Sequence, residues 1–341
     1  MKEGIRSYFE NLDPKKLGLE NKINVKSLSK LGMGASNLNY LVNVNGGKFI
    51  FRMNMEPDRK DKSRREFEAL KIVESYNIGP KVWILDESNK YFDSGFIVIS
   101  YIEGKTADKV PEYFKPKMFR EVGKLCGELH DIKIGGKLNK LKRESLDGYK
   151  KQVFALKKQY LSYLNKKVDE DLMKIINESF EKMYSEVPLD KYIPDLVLSQ
   201  GDFHELNVVV SRGKYKLIDF EDLQITDRAS HLAHILSDFG KPFNERQKKL
   251  FFDEYFKIVK TSDGELIDKI NVWIPIKTFS VFLWSVWHTM RVKNNELHSA
   301  FLEKNDFKED LKYVNVMFKR CLKLGIIDKK YKGFDIAGAL E

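Results

Sequence analysis

The chain has 341 residues, too many for a minimal domain and enough for two lobes sharing a cleft or one large domain. Hydrophobic residues at 42% and charged residues at 32% describe a globular protein with a real core and exclude a disordered chain. The formal charge of +10 comes from lysines scattered among glutamates, as in KLNKLKRESLDGYKKQ, with no basic stripe interleaved with aromatics, so no nucleic-acid partner is expected.

Residues 1–20 read as a short leading helix broken near Pro14, charged throughout and without a signal-peptide core. From Asn24 to Asn54 the pattern turns extended: LNYLVNV and GKFIFRM are rich in β-formers, and Asn45-Gly46-Gly47 between them is a hairpin signal. The stretch Lys62–Tyr76 has helical spacing at Phe67, Leu70, Ile72 and Val73 and stops before Gly79-Pro80. Two strand-like runs follow, KVWILDE and GFIVISYIEG, closing a small α+β lobe near Gly104. Beyond Pro111 the chain is mostly helical. One extended island, residues 196–222, holds a turn-like QGDFHEL, the run VVV, a turn at Ser211-Arg212-Gly213 and the run YKLIDF. The reading is therefore two domains: a small lobe at 1–104 with its leading helix, and a mostly helical lobe at 105–341.

Cys126 and Cys321 lie far apart in helical contexts, and the histidines, His231 and His234 included, lack metal-ligand spacing; neither a disulfide framework nor a zinc site is expected. Apolar runs such as Phe279–Val286 fall well short of the roughly 20 residues that span a bilayer. The sequence thus predicts a cytoplasmic protein with no membrane span, and carries no signal of oligomeric state.

The island carries the chemistry. Phosphoryl transfer needs a carboxylate to orient the attacking hydroxyl, oxygen ligands to hold magnesium on the phosphates, and a cation on the non-transferred phosphates. Asp202 lies five residues before Asn207, so one tight loop can aim both side chains into a common space, and Asp219 arrives opposite that loop at the end of the second hairpin strand. Each of these types also caps turns; all three on one hairpin frame favour function.

SQGDFHELNVVV followed by YKLIDFED resembles the catalytic and metal motifs of the aminoglycoside phosphotransferase and choline kinase superfamily, whose members share the protein-kinase fold and catalytic loop. The resemblance runs from about Ser27 to the Trp284 region. It implies an α+β, two-lobed, protein-kinase-like fold: a small β-rich N-lobe with one helix and a larger, mostly helical C-lobe. It implies Asp202 as catalytic base, Asn207 and Asp219 as magnesium ligands, and ATP and Mg2+ as cofactors. LGMGASNLNYLV resembles the family's nucleotide loop, with Gly32, Gly34, Ser36 and Asn37 as donors to phosphate. Arg52 occupies the place of the phosphate-gripping cation, as in the choline kinase branch, with Glu66 as its partner. FIVISYIEG resembles the hinge, where backbone groups of Ser100, Tyr101 and Ile102 would meet the adenine edge.

Two departures stand out. Gln200 replaces the family's histidine two residues before the catalytic aspartate. In TDRASHLAHIL, Asp227 is kept, Arg228 stands where proline is common, and His231 takes the place of a later acid. For the acceptor, Trp284, Trp287, His288 and Arg291 share one helical face, and TFSVFLWSVWHTMR resembles the choline kinase helices whose aromatics surround a cationic head group. An apolar stripe packing on the large lobe gives the same spacing. Glu221 and Asp222 could meet an acceptor amine or hydroxyl, with Asp238 a further candidate, while His130 reads as a packing histidine. The expected activity is transfer of the γ-phosphate of ATP to a hydroxyl of a small molecule, choline- or ethanolamine-like or aminoglycoside-like. The competing reading is a catalytically silent nucleotide-binding module of the same fold; a protein kinase is disfavoured because no activation segment follows IDFED.

Overall fold

The computed structural model describes residues 1–33, 37–55, 61–144, 147–188, 192–260, 263–297 and 307–340. Two compact units emerge. The first comprises Met1–Lys142, Leu198–Gln224 and Lys249–Val259; the second comprises Arg143–Val197, Ile225–Lys248 and Lys260–Glu341.

The first unit is built on an antiparallel sheet of β1 (Val25–Met33), β2 (Asn37–Val44), β3 (Gly47–Asn54), β4 (Val82–Asp86) and β5 (Phe96–Ser100), in the order β1-β2-β3-β5-β4. Successive strand residues face opposite sides, and β3 is buried on both. Phe49, Phe51 and Met53 enter an apolar cluster with Val42, Phe96 and Val98, completed by Ile5, Tyr8 and Phe9 from helix α1 (Lys2–Glu10). Arg52 therefore points to the other side of β3, toward α2 (Lys62–Val73). The buried face of α2 is Lys62, Ser63, Glu66, Ala69, Leu70 and Val73, a stripe of helical period that is charged at its first turn and apolar at its last.

After β5 the chain turns at Gly104 into the short strand β6 (Lys105–Thr106), and then into α3 (Pro116–His130). A Cβ at Gly104 would sit 2.3 Å from the Val210 carbonyl oxygen, because β6 pairs with β9 (Val208–Ser211). Strands β9 and β10 (Lys214–Leu217) form a hairpin whose two central residues, Arg212 and Gly213, both have positive φ, the geometry that matches the strand twist. His130 is buried with Nδ1 at 2.7 Å from the Tyr255 hydroxyl, a packing role.

In the second unit, α6 (Arg228–Asp238), α4 (Tyr149–Leu164) and α9 (Phe307–Lys323) pack on the long helix α8 (Asp263–Lys293), which accommodates Pro275 internally. Asp227 caps α6 through the Ser230 amide at 3.1 Å and also accepts from the Asp195 amide at 2.9 Å. Arg228 forks onto the Asp195 carboxylate, Nε at 2.5 Å and Nη2 at 3.3 Å, so arginine at the proline position anchors the start of α6. Among the described residues no helix is long and apolar enough to cross a membrane.

Candidate active site

Strand β8 (Leu196–Ser199) delivers Gln200, Gly201 and Asp202 in succession. Gly201 has φ +94, and a Cβ there would lie 2.2 Å from the Asp222 carbonyl oxygen; only glycine fits where two backbones touch. The fully buried Gln200 ties the two halves of the island together. Its Oε1 accepts from the Asp202 amide at 2.9 Å, while its Nε2 donates to the Ile218 carbonyl at 3.0 Å and to the Asp219 carbonyl. The Ile218 amide also donates to the Asn207 carbonyl at 2.9 Å. Asp219 follows β10 with φ +62, a left-handed conformation that aspartate tolerates better than most residues.

Asn207 donates through Nδ2 to the Asp202 carbonyl at 2.9 Å and to Asp202 Oδ2 at 3.2 Å. His204 accepts the Leu206 amide on Nδ1 at 3.2 Å, which leaves its Nε2–H to donate to the same Oδ2 at 3.1 Å. Two donors thus fix the rotamer of Asp202, whose side chain is still 54% exposed.

Opposite lies a buried charge cluster. Arg52 donates from Nε to Glu66 at 2.6 Å, and from Nη2 to Asp219 at 2.6 Å and Glu221 at 3.3 Å. Glu221 also receives the Asn37 amide at 2.7 Å and the Lys62 ammonium at 2.7 Å. Burial works against the charge on Arg52, but Asp219, Glu66 and Glu221 together outweigh it and hold the guanidinium above its usual value. Burial pushes Asp219 up, with Arg52 pulling the other way and the charges of Glu221 and Asp202 adding to the rise. Glu66 is pushed up to about 7 by the same burial, against Arg52. Burial would raise Glu221 as well, yet Arg52 and Lys62 prevail and hold it below the ordinary carboxylate range.

Oxygens of Glu66, Asp219 and Glu221 lie within 4.8 Å of one another. These are the hard donors that magnesium takes, and Asn207, having spent its NH2 on Asp202, keeps its carbonyl oxygen for the same purpose. The residues present fit a divalent ion.

The remaining sequence-predicted positions divide clearly. Gly32 lies in β1 opposite Asn39, while Gly34 and Ser36 fall outside the described residues. The Ser100 and Tyr101 amides donate to the Lys81 and Lys48 carbonyls at 2.8 and 3.1 Å, so both are already engaged within the protein. Ser100 and Ile102 also line a hollow of about 340 Å3 with Asn77, Pro80, Lys81 and Lys216, which does not include Arg52, Asp202 or Asp219. Asp222 is partly exposed and faces Arg65 at 3.7 Å.

Trp284, Trp287, His288 and Arg291 belong to the second unit. There Trp287 meets Tyr160 and Tyr163 edge-on, each with centroids 6.4 Å away, and the Arg291 guanidinium lies 4.6 Å from its ring centroid. The protein's own cation already takes a cation–π place on Trp287. Trp284 stacks on His288 at 5.0 Å and stays partly exposed, and burial first, then Arg291, lowers the His288 pKa. Asp238 pairs with Arg320 at 3.1 Å.

The family model described as "Phosphotransferase enzyme family" (APH) matches residues 27–265. The chain belongs to this family. A search of curated proteins returns no significant match. Among solved structures, the phosphotransferase chain is similar to choline kinase from Cryptosporidium parvum Iowa II, at 18% identity and TM-score 0.65 over 97% of this chain and 96% of the other. It is similar to APH(2")-IIia in complex with GDP and kanamycin, at 17% identity and TM-score 0.61 over 87% and 95%. It is also similar to a thermostable aminoglycoside phosphotransferase APH(4)-Ia mutant with ADP and hygromycin B, at 12% identity and TM-score 0.63 over 95% and 98%. The fold is the α+β, protein-kinase-like one, with an antiparallel sheet in the N-lobe and a helical C-lobe.

Sequence reasoning missed two members of the site. His204 sits inside QGDFHELN, and its i+2 relation to Asp202 could have suggested the contact. Lys62 had no such signal, because in DKSRREFE it reads as one more solvated charge.

Proposed function

We propose that this phosphotransferase moves the γ-phosphate of ATP to a hydroxyl of a small, amine-bearing alcohol, choline- or ethanolamine-like or aminoglycoside-like, in the cytoplasm. The observation that carries the reading is the pair of loops locked by Gln200: Asp202 and Asn207 on one, Asp219 on the other, with Arg52 and Glu66 at the far side. On this reading the N-terminal lobe ends at Gly104, and Ser100 to Ile102 border the adenine.

Asp202 would accept the proton of the attacking hydroxyl, its exposed carboxylate aimed by His204 and Asn207. Arg52 would grip phosphate oxygens with its planar fork while Glu66 keeps it in place. Asp219, Asn207 and Glu221 would hold magnesium, which supplies charge neutralisation on the phosphates. An amine on the acceptor suits the partly exposed Asp222. Choline- and aminoglycoside-like alcohols share that feature, and both kinds of enzyme occur among the similar folds.

The test gives the purified protein ATP, magnesium and a panel of amino-alcohols, aminoglycosides and sugars, with products read by mass spectrometry. Acceptor-dependent phosphorylation is expected, and Asp202→Asn should lower it on the order of 10²- to 10⁴-fold. Full activity in Asp202→Asn would overturn the base assignment. Nucleotide binding without transfer to any acceptor would favour a catalytically silent module of the same fold.

A further inference from the structure

The most deeply buried cation among the described residues of the first unit has no part in the reaction described so far. Lys62 opens α2, its side chain is 1% exposed, and its Nζ lies 2.7 Å from Glu221 Oε1. A buried ammonium is costly unless an anion meets it. Glu66 follows one turn later on the same face of α2, so a single helix face presents a lysine to one carboxylate of the cluster and a carboxylate to its arginine. Glu221 lies between the two cations, with Lys62 on Oε1 and Arg52 at 3.3 Å from Oε2.

Among the described residues the cluster holds three carboxylates (Glu66, Asp219, Glu221) and two protein cations (Arg52, Lys62), an excess of one negative charge when all are ionised. The cations therefore occupy carboxylate oxygens that a divalent ion would take. If a metal ion enters alone, it strips buried cations of their anions. If a polyphosphate enters alone, it sets new negative charge beside three carboxylates. With joint entry each buried cation keeps an anionic partner: Asp219 and Glu221 turn to the metal while the cations turn to phosphate.

We infer that Lys62 is a second phosphate-directed cation, parked on Glu221 until nucleotide and metal arrive together, and that Lys62 and Arg52 thereby couple the two binding events. This inference rests on the phosphotransferase reading. Arg52 keeps Glu66 through Nε throughout, whereas Lys62 gives up Glu221 Oε1 and takes a phosphate oxygen. Lys62 lies one carboxylate's width from Arg52, which puts both cations in reach of one polyphosphate.

The experiment measures Mn2+ binding by the electron paramagnetic resonance of the free ion, with and without ADP, and ADP binding by calorimetry, with and without Mn2+. In the wild-type protein each ligand should tighten the other by the same factor, within the about 5- to 150-fold range of site-to-site coupling. Lys62→Met should bind Mn2+ alone several-fold more tightly, bind ADP with Mn2+ at least tenfold more weakly, and lose most of the coupling. Opposite changes for metal and nucleotide separate this role from simple loosening of α2, which would weaken both. Lys62→Gln serves the same purpose if the methionine variant folds poorly, and Lys62→Arg should retain the coupling.

Weakening of both ligands, or no change in either, would overturn the inference. If the wild type binds no ADP under any condition, the phosphotransferase reading fails instead. Tighter Mn2+ binding by Lys62→Met would still show that the lysine guards the carboxylates.

Discussion

Gln200 spends both ends of its amide on backbone groups of two separate loops, one end on the Asp202 amide and the other on the Ile218 and Asp219 carbonyls. A histidine ring cannot match this pattern atom for atom, so the departure from the family residue replaces one brace with another. Gln200→Ala leaves buried polar groups without partners, at about 1–3 kcal/mol for each group stranded. The expected outcome is a lower urea midpoint together with a fall of more than tenfold in kcat, since on the proposed reading the loops that drift carry Asp202 and the magnesium-holding Asn207 and Asp219. Equal kcat in the variant would mean the loops hold their geometry without the amide. At this scale the meeting of Asp202 and Asn207, Nδ2 to Oδ2 at 3.2 Å, was legible because one five-residue spacing holds both. Lys62 was not: its meaning comes from Glu221, 159 positions further along, and no local pattern records that encounter.

At the scale of elements, the longer strands and the hairpin turn were legible, because β-formers alternate along them and Arg212-Gly213 supplies the two positive φ values. The two-residue strand β6 was not, since two residues show no period; its existence follows from Val209 and Val210 offering a partner edge. The buried face of α2 was half legible for a related reason. Periodicity follows apolar residues and finds Leu70 and Val73, which are buried, with Phe67 and Ile72, which are half-buried, but misses that the stripe begins with Lys62 and Glu66. Gly104 shows how tightly the elements meet. Its φ is +154, and a methyl group would press on the Val210 carbonyl. Gly104→Ala should therefore separate β6 from β9 or strain the backbone by about 1–3 kcal/mol, read as a lower melting temperature and faster hydrogen exchange at the β6–β9 amides. Unchanged exchange there would show that the turn absorbs a side chain.

At the scale of the molecule, compactness gathers residues 198–224 with the N-terminal sheet, because Asp219 and Glu221 bind Arg52 and β9 pairs with β6. Bulk composition could not foresee this; it constrains how much core exists and not which segments share it. Acid stability is a property of the whole chain and one histidine bears on it directly. His231 on α6 is fully buried, and burial first, then the charges of His234 and of Lys277 on α8, hold its pKa well below the usual histidine value. Unfolding frees it to titrate near about 6.5. Below that pH the unfolded chain binds the extra proton, so the stability His231 contributes is complete above about 6.5 and is lost on acidification, with a limiting slope of about 1.4 kcal/mol per pH unit. Glu66 works in the opposite sense over the same range: with its pKa at about 7, the folded state takes up the proton first and gains stability as the pH falls. The net slope of the wild type therefore sums opposing effects, His288 acting in the sense of His231 and Asp219 in the sense of Glu66, and a substitution isolates the share of His231. Urea unfolding at pH 7.5 and 5.5 should show that His231→Gln, although less stable at pH 7.5, loses less on acidification than the wild type or even gains. Parallel losses in both proteins would place the acid-sensitive proton elsewhere.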